Sequence, residues 1–115
     1  MILVIGLVIG LVIGLFVPIH IPSQYSSYVA IAILAALDSV FGGIRASVQK
    51  NFNMRIFISG FFGNALLAAL LTYIGKKLDV DLYLAAVIAF GARLFQNFAF
   101  IRRFILNKYV KNDNI

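Results

Sequence analysis

Four apolar stretches, separated by short turn-rich or basic connectors, dominate this chain: Ile2 to Val17, Tyr28 to Ile44, Ile56 to Gly75 and Leu82 to Ile101. Segments of this length and composition match the roughly 20 apolar residues that an α-helix needs to cross a bilayer. In lipid every backbone N–H and C=O must be satisfied within the chain, so stretches of this kind have helix as their natural form. Composition points the same way. Hydrophobic residues make up 63% of the 115 and charged residues 12%, about half the charge of an ordinary soluble domain. The sequence therefore predicts an all-α integral membrane bundle of four transmembrane helices in a single domain over residues 1–115, with spans at about 2–17, 28–44, 56–75 and 82–101 and a basic tail at 102–115. The second segment sits at the lower limit for a crossing, because Asp38 interrupts it and Gly42 and Gly43 close it. Full crossing and re-entry are both open for it.

Orientation follows from the cations. With the N-terminus in the cytoplasm, alternate connectors place Arg45, Lys50, Arg55, Arg102, Arg103, Lys108 and Lys111 on the cytoplasmic side, and only Lys76 and Lys77 opposite. This is the bias that the positive-inside rule demands. Tyr25, Tyr28, Tyr73 and Tyr83 all fall at the other boundary, where amphipathic rings favour the headgroup region. Both termini are expected in the cytoplasm of a multi-pass protein. The first run lacks the basic leader and the small-x-small site of a secretory signal, so it reads as a span. The formal charge of +6 is explained by topology, and no nucleic-acid partner is expected.

The first span repeats LVIG three times, which puts Gly6, Gly10 and Gly14 four residues apart on one slowly drifting face. Small-residue faces let a second helix approach closely in lipid. This stripe is the first candidate interface for assembly.

Charged groups within a span are costly, by about 2.5–3.5 kcal/mol on insertion scales, and each needs a partner or a purpose. Counting inward from Arg45, Arg55 and Arg102 at about 1.5 Å per residue puts Asp38, Asn64, Arg93, Gln96 and Asn97 in one layer of the cytoplasmic leaflet. The expectation is that Asp38 pairs with Arg93 across the second and fourth helices. Asn64, Gln96 and Asn97 would then satisfy the remaining donors and acceptors, and Gly42, Gly43, Gly60, Gly63 and Gly91 would permit close packing nearby. Such a cluster can be structural glue, a conduction or proton path, or a docking site for another protein's helix.

Catalysis has little to work with. The chain has no Cys and one His, His20 in a connector. Asp38 is the sole acid within a span, so no carboxylate dyad is available, and no nucleophile–base pair is evident. A non-enzyme without cofactor or metal is expected.

The stretches AILAALDSVFGGIRA (Ala32 to Ala46), FISGFFGNALLAALLTYIG (Phe57 to Gly75) and DLYLAAVIAFGARLFQNFAFIRR (Asp81 to Arg103) resemble the small basic protein family of bacterial membrane proteins, a family of unknown function. The resemblance is strongest from Ala32 to Arg103, and the LVIG repeat carries none of it. It implies a plasma-membrane protein encoded near division and cell-envelope genes, beside proteins with one membrane anchor and an extracytoplasmic domain. The expected role is a scaffold or subunit of an envelope- or division-associated complex, as a homo-oligomer and/or with single-span partners. The competing class is a small oligomeric ion channel or exchanger that uses Asp38.

Overall fold

The computed structural model of the protein describes residues 2–113. It is all-helical over those residues: α1 (Ile2–Phe16), a single 3₁₀ turn (Ser23–Tyr25), α2 (Ser26–Val48), α3 (Met54–Leu78) and α4 (Leu82–Asp113). The stretches Ser23–Val48, Met54–Leu78 and Leu82–Val110 are each long and apolar enough to cross a membrane. By contrast, α1 has 15 residues and measures about 22 Å, short of a hydrocarbon core of about 30 Å.

Consecutive helices run up and down. Gln24, just before α2, meets Lys76 near the end of α3, while Gly43 late in α2 lies against Phe57 at the start of α3. The central helix is α2, which packs on α1, α3 and α4. Alanines dominate the seam between the long helices: Ala35 of α2, Ala68 of α3 and Ala86 of α4 are buried with Ile31 and Phe90, and Leu34, Leu71, Tyr83 and Val87 pack around them. The small side chains let the three backbones come close. Almost everything apolar outside this seam faces outward, including Leu66 at 72% and Phe95 at 71% exposure.

The helix ends have local causes. Pro18 has no N–H to continue α1. The Asn53 side chain caps α3 by accepting from the N–H groups of Arg55 and Ile56 at 2.9 and 3.3 Å. Asp81 does the same for α4, accepting from Leu84 N–H at 3.2 Å. Two non-glycine residues take the left-handed conformation that closes a helix: Lys50 at φ 62° after α2 and Asp79 at φ 56° after α3. Asp tolerates this region better than most residues. Lys50 is held there by its own N–H to Ser47 C=O and by Asn51 N–H to Ala46 C=O.

Several boundaries differ from the sequence reading. Gly42 and Gly43 do not end the second helix, which continues through Arg45 to Val48 and is one uninterrupted rod of 23 residues. Glycine is tolerated inside a helix whose neighbours need the room, and a Cβ on Gly43 would stand 2.7 Å from Leu3 Cδ1 and 2.9 Å from Phe57 Cδ1. The expected loop of residues 45–55 shrinks to residues 49–53, Lys76 and Lys77 are helical, and the basic tail is a direct continuation of α4. Residues 114–115 of that tail lie outside the described residues.

Gly75 is the position where only glycine fits, because backbone stands against it. Its carbonyl accepts from Val80 N–H at 3.0 Å, and a Cβ there would lie 2.7 Å from the Val80 carbonyl oxygen. Because that obstacle is backbone, Gly75→Ala should destabilise the detergent-extracted protein by about 1–3 kcal/mol and lower its thermal midpoint. Gly60→Ala meets open space and should leave the midpoint unchanged or slightly raised, as measured in the same melt.

Candidate functional site

The α2–α4 seam brings together Asp38, Arg93, Arg45 and Asn97. These two helices run in the same direction, and one stagger relates residue 38 to 93, 42 to 97 and 45 to 100. Asp38 sits on the inward face of α2 at 1% exposure. Across the seam, Arg93 Nη1 lies 3.6 Å from Asp38 Oδ2. The expected pair is therefore present, as an ion pair beyond hydrogen-bond length. It is also lopsided, with the Asp38 side chain fully enclosed and that of Arg93 58% exposed.

Two turns further along, Arg45 Nη1 donates to Asn97 Oδ1 at 3.3 Å, and its guanidinium lies 4.4 Å from the centre of the Phe100 ring. A cation over an aromatic face gains from the ring's quadrupole. Gly42 makes room for this contact, since a Cβ there would lie 3.5 Å from Asn97 Nδ2. Between the two polar contacts, the rings of Phe41 and Phe98 meet edge to face at 6.2 Å. The seam thus alternates ion pair, aromatic edge and amide–guanidinium contact.

The five-residue cluster does not form as expected. Asn97 engages Arg45 and not the Asp38–Arg93 pair. Among the described residues, neither Asp38 oxygen has a hydrogen-bond partner, and the neighbouring buried Ser39 Oγ also has none. Asn64, partly buried on α3, and Gln96, exposed on α4, supply no bond to the carboxylate. Counting along a helix fixes depth but not azimuth: Gln96 falls on the exposed side of α4, while Asn64 shares the inward face of α3 with Ala68 and Thr72 without bonding the carboxylate. The glycines divide in the same way. Gly42 and Gly43 meet neighbours, while Gly60, Gly63 and Gly91 have nothing within 4 Å of an added Cβ and make no close helix contact within the chain.

Gly6, Gly10 and Gly14 also look into open space. No residue of α1 is buried, and a groove of about 640 Å³ separates it from α2, lined in part by Gly6, Gly10, Ile33, Leu37 and Phe61. Among the described residues, no helix packs closely on the LVIG stripe.

Of the basic residues, Arg45 is drawn into the seam as described, Lys50 closes α2 and Arg55 stands in the first turn of α3. Arg102, Arg103 and Lys108 are exposed along α4. Lys111 is on its last turn, and its side chain lies outside the described ones. At the opposite end of the bundle, Lys76 Nζ donates to Gln24 C=O at 3.2 Å and lies 4.5 Å from the centre of the Tyr28 ring. Lys77 approaches Tyr73 at 5.5 Å. The sequence reading missed Arg45 and Phe100 as partners. The available signal was their seven-residue distance from Asp38 and Arg93, which repeats the same helical face two turns on.

Comparison with known proteins places this geometry in a lineage. The family described as "Protein of unknown function (DUF1290)" matches residues 21–106, which includes the seam and leaves out α1. The chain is 54% identical over 86 residues to "Small basic protein" of Bacillus subtilis, covering 75% of this chain and 71% of that protein. It is 44% identical over 78 residues to an uncharacterized protein of Mycobacterium bovis, covering 66% of this chain and 64%, just under two-thirds, of the relative. No solved structure matches. A family match across most of the chain, together with these identities, establishes that the protein belongs to the small basic protein family, whose function is unknown.

Proposed function

We propose that this protein is a four-span scaffold of the bacterial plasma membrane, with both termini in the cytoplasm, that assembles with copies of itself and with single-span membrane partners in an envelope- or division-associated complex. The observation that carries the reading is the Asp38–Arg93 pair, with its carboxylate enclosed between packed helices and its guanidinium turned to the outer surface. A buried charge held against a neighbouring helix fixes how those helices pack, and a cation left at a lipid-facing surface calls for a further contact. The open glycine stripe of α1 offers a second face on which another helix can lie closely. The association with division and envelope genes that the family resemblance implies supplies the class of partner.

For α1 to cross, its 15 helical residues need the apolar Val17, Ile19 and Ile21 beyond them, or a locally thinned bilayer. The inside-positive bias supports the orientation. At the other end, the Tyr28 ring and the Gln24 carbonyl take up the charge of Lys76. The family model stops short of α1, so partner contacts common to the family belong to α2, α3 and α4.

One observation favours a second reading. Asp38 and Ser39 leave buried oxygen atoms without hydrogen-bond partners, and free acceptors inside a membrane also mark ion pathways. Under that reading the protein is a small oligomeric channel or exchanger that uses Asp38.

Topology is directly testable because the chain has no cysteine of its own. A thiol introduced by Lys50→Cys should react with a membrane-impermeant maleimide only after the cells are opened, whereas Asp79→Cys should react in intact cells. Labelling at both positions in intact cells would refute the four-span orientation.

Function is tested by isolating the tagged protein from native membranes in mild detergent, with Asp38→Asn alongside. Loss of the carboxylate strands Arg93, whose exposed side meets lipid and not screening water, and should cost about 3–5 kcal/mol, as for a broken buried pair. A single-span protein that accompanies the wild type and is depleted at least several-fold in the variant is the expected result. Self-oligomers alone, unaffected by the variant and conducting ions in liposomes until Asp38 is replaced, would establish the transport reading instead.

A further inference from the structure

The outward face of α4 carries an arrangement that the protomer leaves unfinished. Ala85, Ala89, Ala92 and Gln96 are all exposed and, at spacings of four, three and four residues, form one stripe along the helix. Arg93 flanks it, with its guanidinium 58% exposed. Among the described residues, neither Gln96 nor Arg93 makes a hydrogen bond, and the one ion pair of Arg93 is at 3.6 Å. Tyr83 and Arg102 bracket the span, with Arg93 ten residues from the first and nine from the second, or about 14–15 Å from each. That is the middle of a hydrocarbon core about 30 Å thick. A guanidinium facing lipid at that depth is costly and too far from either surface to snorkel, and the Gln96 amide, about 9 Å inward of Arg102, is also costly where it faces lipid.

The chemistry of the stripe selects what covers it. Copies of one chain insert with the same orientation, so two copies related by a twofold axis along the membrane normal bring α4 against α4 with like residues at like depth. A polar side chain near such an axis must complement itself. A carboxylate or a guanidinium would repel its own image, whereas the amide of Gln96 offers both a donor and an acceptor. The alanines on either side leave space for the backbones to approach. Arg93, less than one turn from Gln96, then has the partner's amide oxygen within its reach as well as its own Asp38. The cationic ends of α4 would clash if the two helices ran side by side. At the right-handed crossing of about 40° that small-residue contacts favour, they diverge instead. Lys108, about 28 Å from Ala89, ends up separated from its counterpart by more than the Debye length of about 8 Å.

We infer that a second copy of this chain docks on the Ala85–Ala89–Ala92–Gln96 face of α4, with the paired Gln96 amides and Arg93 as the polar centre of the interface. The inference rests on the self-assembly reading above and specifies its surface.

Single cysteines in the otherwise cysteine-free chain test it. Ala85→Cys, Ala89→Cys and Ala92→Cys, oxidised in native membranes with a lipid-permeant oxidant, should each yield a disulfide-linked species of twice the monomer mass. Leu66→Cys on the lipid-facing side of α3 should not, and equal cross-linking there would mean random collision and overturn the proposal. Adding Gln96→Leu to Ala92→Cys should reduce the cross-linked fraction several-fold. Leucine favours insertion, so that loss would not reflect failure to enter the membrane. An unchanged fraction would remove the amide pair from the interface. Cross-linking of Gly10→Cys with none on α4 would refute this face and keep self-assembly through α1. Absence of cross-links at every position, with differently tagged copies failing to co-purify, would refute self-assembly itself. Cross-links from α4 only to another protein would assign the face to a hetero-partner.

Discussion

Lipid tails are as apolar as the leucines and isoleucines of these helices, so moving such side chains from lipid into a helix contact gains little from the hydrophobic effect. What remains is the closeness of contact and the few polar interactions that lipid cannot replace. The seam of α2 is built on that constraint. Ala35, Ala68 and Ala86 give closeness, while Asp38 with Arg93 and Arg45 with Asn97 give polar contacts. Large apolar residues are spent outward, where a soluble protein would place its charges. α1 has neither an alanine seam nor a polar partner, and it is correspondingly the least embedded helix, touching the rest mainly where Leu3 meets Gly43.

The two ends of the bundle treat their cations differently. At the end where α3 closes, Lys76 is folded onto the Gln24 carbonyl and the Tyr28 ring, so its ammonium is occupied by the protein. At the other end Arg102, Arg103 and Lys108 stay exposed on a helix that carries on past the seam. Lys76 is tied to another helix, whereas Arg102, Arg103 and Lys108 are exposed with Arg103 bonded only to its own helix at Ala99 C=O, and this extends the numerical charge bias into a difference in what each surface can offer to anionic headgroups.

The helical type of the four apolar runs was legible in the sequence because such runs permit little else in a bilayer, although only three of them form helices long enough to cross. The Asp38–Arg93 pairing was legible too, since two opposite charges at similar depth in an apolar setting have few other options. What could not be read was azimuth. A helix that is apolar all round has almost no amphipathic signal, so nothing in the order of residues showed that Gln96 is exposed, that Asn64 makes no bond to Asp38, or that Gly60 and Gly63 face outward while Gly43 faces in. Punctuation misled at Gly42–Gly43, because a glycine pair that would end a helix in water serves here as a slot for Leu3, Phe57 and Asn97. Arg45 was assigned to a loop for the same reason.

The length of α4 has a mechanical consequence. From Ala92 to Asp113 the helix contains neither glycine nor proline, the usual sites of a kink. The stretch that carries Arg102, Arg103 and Lys108 and the stretch that carries Arg93 and Asn97 are therefore one stiff rod. A tilt or twist imposed on the projecting end finds no hinge to absorb it, and it arrives at the contacts with Asp38 and Arg45 as a torque on the seam.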